Sequence, residues 1–367
     1  MQNLAPTTAI EKEKMQVSTV SHALDPNQPN QPDRHSDARP HLTVLDGWRG
    51  LSILLVLAAH LLPLGPHAWE LNYGAGIFGM ALFFILSGFL ITSILLKEQD
   101  ILGFLIRRFF RVLPLAWLYI ALALAISGAS GYAWLAHYLF FANFPPAQLL
   151  PLTVHLWSLC LELQFYVGVA LLVAALRVRG LLLLPILGLL FTLLRAWNGV
   201  YASSVTYYRI DEILAGCALA LVYHGRLGGA ALRWLKLVPQ WPVFFLLILA
   251  CLPQGGWFNY FRPYLAAILI GATLLNPGSA MGARLNGRFL LFLAGISYSL
   301  YVIHPLLGES WLGSGDVYEK YAKRPLLLAV LFALAYLSTH YYEHRFMAYG
   351  RSLARFRANR RKTSAAL

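Results

Sequence analysis

The chain has 367 residues, 58% of them hydrophobic and only 12% charged, with a formal net charge of +13. A soluble globular domain carries about a quarter charged residues, so this composition excludes one and points to a polytopic membrane protein. The positive balance is no sign of nucleic acid, because the cations gather at the ends of apolar runs, where they set membrane topology.

Residues 1–44 are polar and rich in Pro, Asn and Gln, as in Asn27-Gln28-Pro29-Asn30-Gln31-Pro32. They bury too little apolar surface to order themselves, so a disordered cytoplasmic tail without a cleavable signal peptide is expected. From residue 45 to 346 the expected fold class is all-α, a polytopic transmembrane domain. At ~20 apolar residues per crossing, about ten transmembrane helices are predicted near 46–66, 76–96, 109–127, 155–176, 180–196, 208–224, 239–253, 261–277, 289–308 and 325–343. The first serves as an uncleaved anchor. The seventh is short and carries Pro239, Pro242 and Pro253, and the stretch 127–154 reads as an interfacial or re-entrant helix. Lys97, Arg107, Arg108, Arg111, Arg177, Arg179, Arg226, Arg233, Lys236, Arg284 and Arg288 fall on one set of connections, and residues 347–367 form a basic tail. The positive-inside rule then puts both termini in the cytoplasm. Cys160, Cys217 and Cys251 lie in apolar stretches without ligand spacing, so neither a disulfide framework nor a metal is expected.

Arg49 and His60 stand in the first predicted span. At ~100° and ~1.5 Å per residue they share one helix face about 16 Å apart, with Asp46 near the same face. An ionisable group inside a greasy helix marks a site facing the protein interior or a wet cavity. The pair therefore outlines a route from the membrane edge to a reacting centre.

Arg107, Arg108 and Arg111 follow the second span at i,i+3 and i,i+4 spacing and present adjacent guanidinium groups. Either they grip phosphate oxygens with bidentate forks, or they anchor the helix at lipid headgroups. His155, Ser158 and Glu162 make one polar stripe with Tyr166 near it. A carboxylate placed like Glu162 must be paired, protonated or wetted, an ion pair with an arginine of another helix being the structural alternative. Arg209 and Glu212 neutralise each other at i,i+3, which leaves Asp211 in need of its own partner. Ser297, Tyr301 and His304 form a further stripe before Pro305, where a lone histidine is more often structural than catalytic. Ser87-Gly88-Phe89 supplies small residues for close helix packing. No P-loop, HExxH or GxSxG occurs, which removes support for ATP-driven pumping, zinc proteolysis and the usual serine hydrolase.

Six blocks in order resemble the membrane acyltransferase type 3 family, bacterial O-acyltransferases that decorate surface and exported glycans. They are Leu45-Asp46-Gly47-Trp48-Arg49-Gly50 with His60, Phe83-Phe84-Ile85-Leu86-Ser87-Gly88-Phe89, and Arg107-Arg108-Phe109-Phe110-Arg111. The others are His155-Leu156-Trp157-Ser158 through Glu162-Leu163-Gln164-Phe165-Tyr166, Arg209-Ile210-Asp211-Glu212, and Ser297 through His304-Pro305. Leu163 replaces a second carboxylate common in the family, Ala81 an acidic residue, and Glu343-His344-Arg345-Phe346 departs from the usual closing pattern. An extra extracytoplasmic hydrolase-like domain of some members is expected to be absent.

The resemblance implies an acyl-CoA donor, acetyl-CoA first among candidates, and a hydroxyl acceptor on a glycan or lipid-linked sugar. The setting it implies is the bacterial inner membrane with its lipids, and no nucleic acid. In that scheme Arg107, Arg108 and Arg111 hold the donor's phosphates, Arg49 orients the donor, and His60 is the general base. An imidazole suits that role because its ordinary pKa of ~6.5 lies near operating pH. Glu162 either fixes the His60 tautomer or binds the acceptor. Asp46, His155, Ser158, Arg209, Asp211, Tyr301 and His304 are assigned to substrate. The scheme needs an open path from the guanidinium cluster to the imidazole. The rival reading is a proton-coupled transporter or flippase with His60, Glu162 and Asp211 as a relay; a third is a sensor that binds acyl groups without turnover.

Overall fold

The structure, a computed structural model, describes residues 40–98 and 100–365, with side chains described over 43–98 and 100–360. Residues 1–39 of the expected tail lie outside the described residues, while 40–44 already belong to the first helix. Among the described residues every regular element is helical. They are α1 (Pro40–Leu61), α2 (Leu71–Leu95), α3 (Ile101–Ile126), α4 (Gly131–Tyr138), α5 (Trp157–Leu176), α6 (Leu184–Trp197), α7 (Asp211–Tyr223) and α8 (Gly229–Leu237). They continue as α9 (Gln240–Cys251), α10 (Arg262–Leu275), α11 (Ala280–Leu285), α12 (Arg288–Gly308), α13 (Val317–Ala322), α14 (Arg324–Leu337) and α15 (His344–Ala365).

Each of the ten predicted stretches is helical, yet seven helical stretches are long and apolar enough to cross a bilayer among the described residues. An eighth is added if α8 and α9, bent by 92°, count as one broken span. Two things lower the number: α5 and α6 run on as one helical stretch over Pro151–Trp197, and α7 and α9, with 13 and 12 residues, are too short at ~1.5 Å per residue to span ~30 Å alone. The coarse conclusion stands: this is a multi-pass membrane protein. The 127–154 stretch holds the short α4, capped by Ser130, whose hydroxyl accepts from the Ala133 amide. Of the residues expected to be a basic tail, 347–365 continue α15 as helix.

Helix α1 packs between α2 and α12, and α2 crosses α7. At that crossing a Cβ on Gly88 would strike the Ile213 carbonyl, and one on Gly216 would strike that of Ile85. The two glycines let the backbones touch, the small-residue packing that substitutes for a hydrophobic drive inside lipid. Trp48, 1% exposed, ties α1 to α10 by donating from Nε1 to Thr273 Oγ1 at 2.8 Å. Ser52 donates to the Gly79 carbonyl at 2.7 Å and fixes α1 on α2. These contacts set the register of α1, and with it the heights of Arg49 and His60.

Candidate functional site

A narrow cavity runs up the inner face of α1 through Arg49, Ser52, Ile53 and Val56. Their spacing follows the i+3/i+4 rhythm of one helix face. Across from them stand Arg108 and Arg111 of α3, Ser158, Glu162 and Tyr166 of α5, and Ser297, Tyr298 and Tyr301 of α12. Three guanidinium groups thus share one space with one buried carboxylate. Oε1 of Glu162 accepts from Ser87 Oγ at 2.6 Å and from the Tyr166 hydroxyl at 2.5 Å. Ser87, expected only to permit packing, is a hydrogen-bond donor here. Arg49 also pairs with the half-exposed Asp46 at 3.1 Å. Arg107 departs from its two neighbours: it pairs with Glu98 at 2.5 Å and does not line the cavity. Helix spacing alone would leave it beside Arg111, four residues on; the ion pair with Glu98 draws its guanidinium elsewhere.

His60 stands in the last turn of α1, exposed rather than buried deep in the helix as expected. Its Nδ1 lies 2.9 Å from the Val56 carbonyl. A carbonyl only accepts, so Nδ1 carries the hydrogen of the neutral ring and Nε2 presents a lone pair. Glu162 does not touch His60, which corrects the expectation that the carboxylate fixes its tautomer; a backbone oxygen does so. The cavity includes Val56 but stops one turn short of the imidazole. Tyr301, stacked on Phe83 at 6.4 Å, stands at that end. His60 is not among the residues that line the cavity, so the expected open path from the guanidinium cluster to the imidazole is not continuous in this structure.

Beyond Tyr301 three histidines meet. The ring of His304 lies 5.1 Å from that of His60 and 5.5 Å from that of His155, while Tyr301 touches both buried rings. The Tyr301 hydroxyl donates to the His155 carbonyl, so its oxygen accepts from Ser158 Oγ, 2.6 Å away. With its hydrogen used in this way, Ser158 offers the cavity lone pairs only. His155, Ser158, Tyr301 and His304 thus stand together, with Ser158 and Tyr301 on the cavity wall and His304 against His60. Among the described residues no group of three or more His, Cys, Asp or Glu side chains is arranged to hold a metal ion.

Arg209 and Asp211 belong elsewhere. Glu212 binds Arg209 at 3.1 Å, the expected i,i+3 pair, and also Arg262 at 2.7 Å. Asp211 has its own partner in Arg195 at 3.0 Å, supported by Thr192 at 3.0 Å. All of these charges are buried, and neither Arg209 nor Asp211 lines the cavity, so neither meets a substrate placed there. The ion pair also removes Asp211 from a relay with His60 and Glu162, the arrangement a proton-coupled transporter required. Arg195 and Arg262 carry one readable signal in the sequence, a lone arginine at the end of an apolar run. Glu343, at the end of a π-helical turn, accepts from Ser299, Thr339 and Ser338.

Residues 42–341 match a family model described as an acyltransferase domain. A putative peptidoglycan O-acetyltransferase of Bacillus subtilis is 31% identical over 316 residues, covering 71% of this chain and 47% of the relative. The peptidoglycan O-acetyltransferase of Listeria monocytogenes is 28% identical, covering 73% of this chain and 49% of its own length. A putative O-acetyltransferase of Staphylococcus aureus is 26% identical, with 71% and 49% covered. The chain spans about half the length of the curated relatives it matches. No solved structure matches it.

Proposed function

The chain belongs to this acyltransferase family, and from that membership we propose that it is a membrane O-acyltransferase moving an acetyl group from acetyl-CoA to a glycan hydroxyl. One observation carries the reading. Arg49, Arg108, Arg111 and Glu162 line a single cavity that climbs α1 to Val56, the residue whose carbonyl orients His60. Phosphate oxygens suit the arginine end, because planar forks hold them bidentately. Ser158 offers an acceptor to an amide N–H such as those of a pantetheine arm. His60 takes the proton of the acceptor hydroxyl at Nε2, and the cavity opens one turn of α1 past Val56 when the thioester reaches it. Peptidoglycan is the named acceptor of two of the relatives, which makes a cell-wall or other exported glycan the acceptor class to try first. The lysines and arginines support an orientation in the inner membrane with the arginine mouth and both termini in the cytoplasm and His60 outside.

The test uses the full chain in nanodiscs with radiolabelled acetyl-CoA and a soluble peptidoglycan oligomer. Base-labile label on the glycan is the expected result. Proton-coupled solute uptake by the same protein in sealed vesicles, without consumption of acetyl-CoA, would overturn the reading in favour of a transporter.

A further inference from the structure

Pro305 has no N–H, so the carbonyl of Tyr301, four residues earlier in α12, lacks its helical partner. His304 takes that oxygen through Nδ1 at 2.7 Å. Its Nδ1 therefore carries the hydrogen and Nε2 bears a lone pair, the same tautomer that Val56 imposes on His60. The two rings touch, yet they differ in access. His60 is exposed and His304 is 1% exposed. Nε2 of His304 and both ring nitrogens of His155 are buried without a hydrogen-bond partner. Buried polar atoms are rarely left so, and those that are call for a function or a bridging molecule.

We propose that His304 is a positioning residue that shares the proton taken by His60, so that the two imidazoles act as one base. This rests on the acyltransferase reading with His60 as base. The acceptor O–H bond breaks as its oxygen bonds the acyl carbon, and the hydrogen goes to Nε2 of His60. The C–S bond breaks with its electron pair left on the CoA sulfur. The proton, shared between Nε2 of His60 and Nε2 of His304 through a bridging water, then passes to that thiolate and gives the free thiol. His304 ends as it began. A second lone pair beside the base keeps the imidazolium from returning its proton to the acceptor oxygen before the ester has formed.

Two conservative replacements separate this from a structural role. His304→Asn keeps an N–H for the Tyr301 carbonyl and has nothing at the place of Nε2. His304→Gln keeps an acceptor near that place but takes up no proton. With the full chain in nanodiscs, acetyl-CoA and a soluble peptidoglycan oligomer, both are expected to lower kcat about tenfold to a hundredfold, with the KM for acetyl-CoA within about twofold. The dependence of rate on the D2O fraction is expected to change from bowed to linear, as one proton leaves the transition state. If either folded variant turns over like the unsubstituted protein, or the rate loss comes with an equal rise in KM and a curve still bowed, the proposal falls. Failure of the unsubstituted protein to transfer acetyl at all would instead sink the acyltransferase reading.

Discussion

Nδ1 of His60 is held by the carbonyl of Val56 at 2.9 Å, so the ring is fixed in tautomer and direction by its own helix. Because the side chain is exposed at the end of α1, its removal leaves no hole in the core. His60→Ala is expected to lower kcat by about a hundredfold to ten-thousandfold, the span of general-base catalysis, with normal amounts of membrane-inserted protein. His60→Asn, which retains a donor for Val56, is expected to be as inactive. Normal acetyl transfer by either variant would remove the base assignment.

The arginines of α3 divide in a way that binding assays read directly. Arg108 and Arg111 line the cavity, while Arg107 pairs with Glu98 outside it. Hydrogen bonds to charged groups contribute about 1.5–3 kcal/mol, so Arg108→Gln or Arg111→Gln is expected to raise the KM for acetyl-CoA about tenfold or more. Arg107→Gln is expected to change it less than about twofold. Equal effects at all three positions would indicate a general surface charge and not a phosphate seat.

Part of this site is legible in the sequence because it obeys helical periodicity. Arg49, Val56 and His60 share a face, and Arg108 with Arg111 share another, as the spacing requires. What periodicity does not encode is which faces meet. The contact of His304 with both His60 and His155 depends on α12 packing against α1 and the start of α5, and the union of Glu212 with Arg262 joins positions fifty residues apart. Exposure of His60 depends on where α1 ends, at Leu61 rather than the predicted 66. Hydropathy located the helices but not all of their bounds: α3 begins at Ile101 rather than the predicted 109, because Arg107 and Arg108 interrupt its apolar run.

Glu212, 0% exposed, faces two guanidinium groups, from Arg209 and Arg262. Removing one partner from a buried ion cluster leaves uncompensated charge and costs about 3–5 kcal/mol. Glu212→Ala is therefore expected to lower the melting temperature sharply in detergent and to reduce the yield of folded protein. Restoring balance with Glu212→Gln and Arg262→Gln together is expected to recover part of that loss, since one fewer cation is then left unpaired. If Glu212→Ala melts like the unsubstituted chain, the cluster contributes little to the fold.

The α2–α7 crossing gives a test that is independent of chemistry. A Cβ at Gly88 meets the Ile213 backbone, which no side-chain adjustment relieves, whereas Gly168 on α5 has nothing within 4 Å. Overpacking of this kind costs about 1–3 kcal/mol, and in this case the two helices must also move apart. Helix α2 carries Phe83 and Ser87, so separation disturbs the stack on Tyr301 and the hydrogen bond to Glu162 as well. Gly88→Ala is thus expected to lower both the melting temperature and kcat. Gly168→Ala is expected to leave kcat unchanged and to raise stability by up to about 1 kcal/mol through helix propensity. Thermal melts and initial rates of the two variants, measured side by side, check this. A Gly88→Ala variant as stable as Gly168→Ala would show that the helices do not pack backbone to backbone at this point.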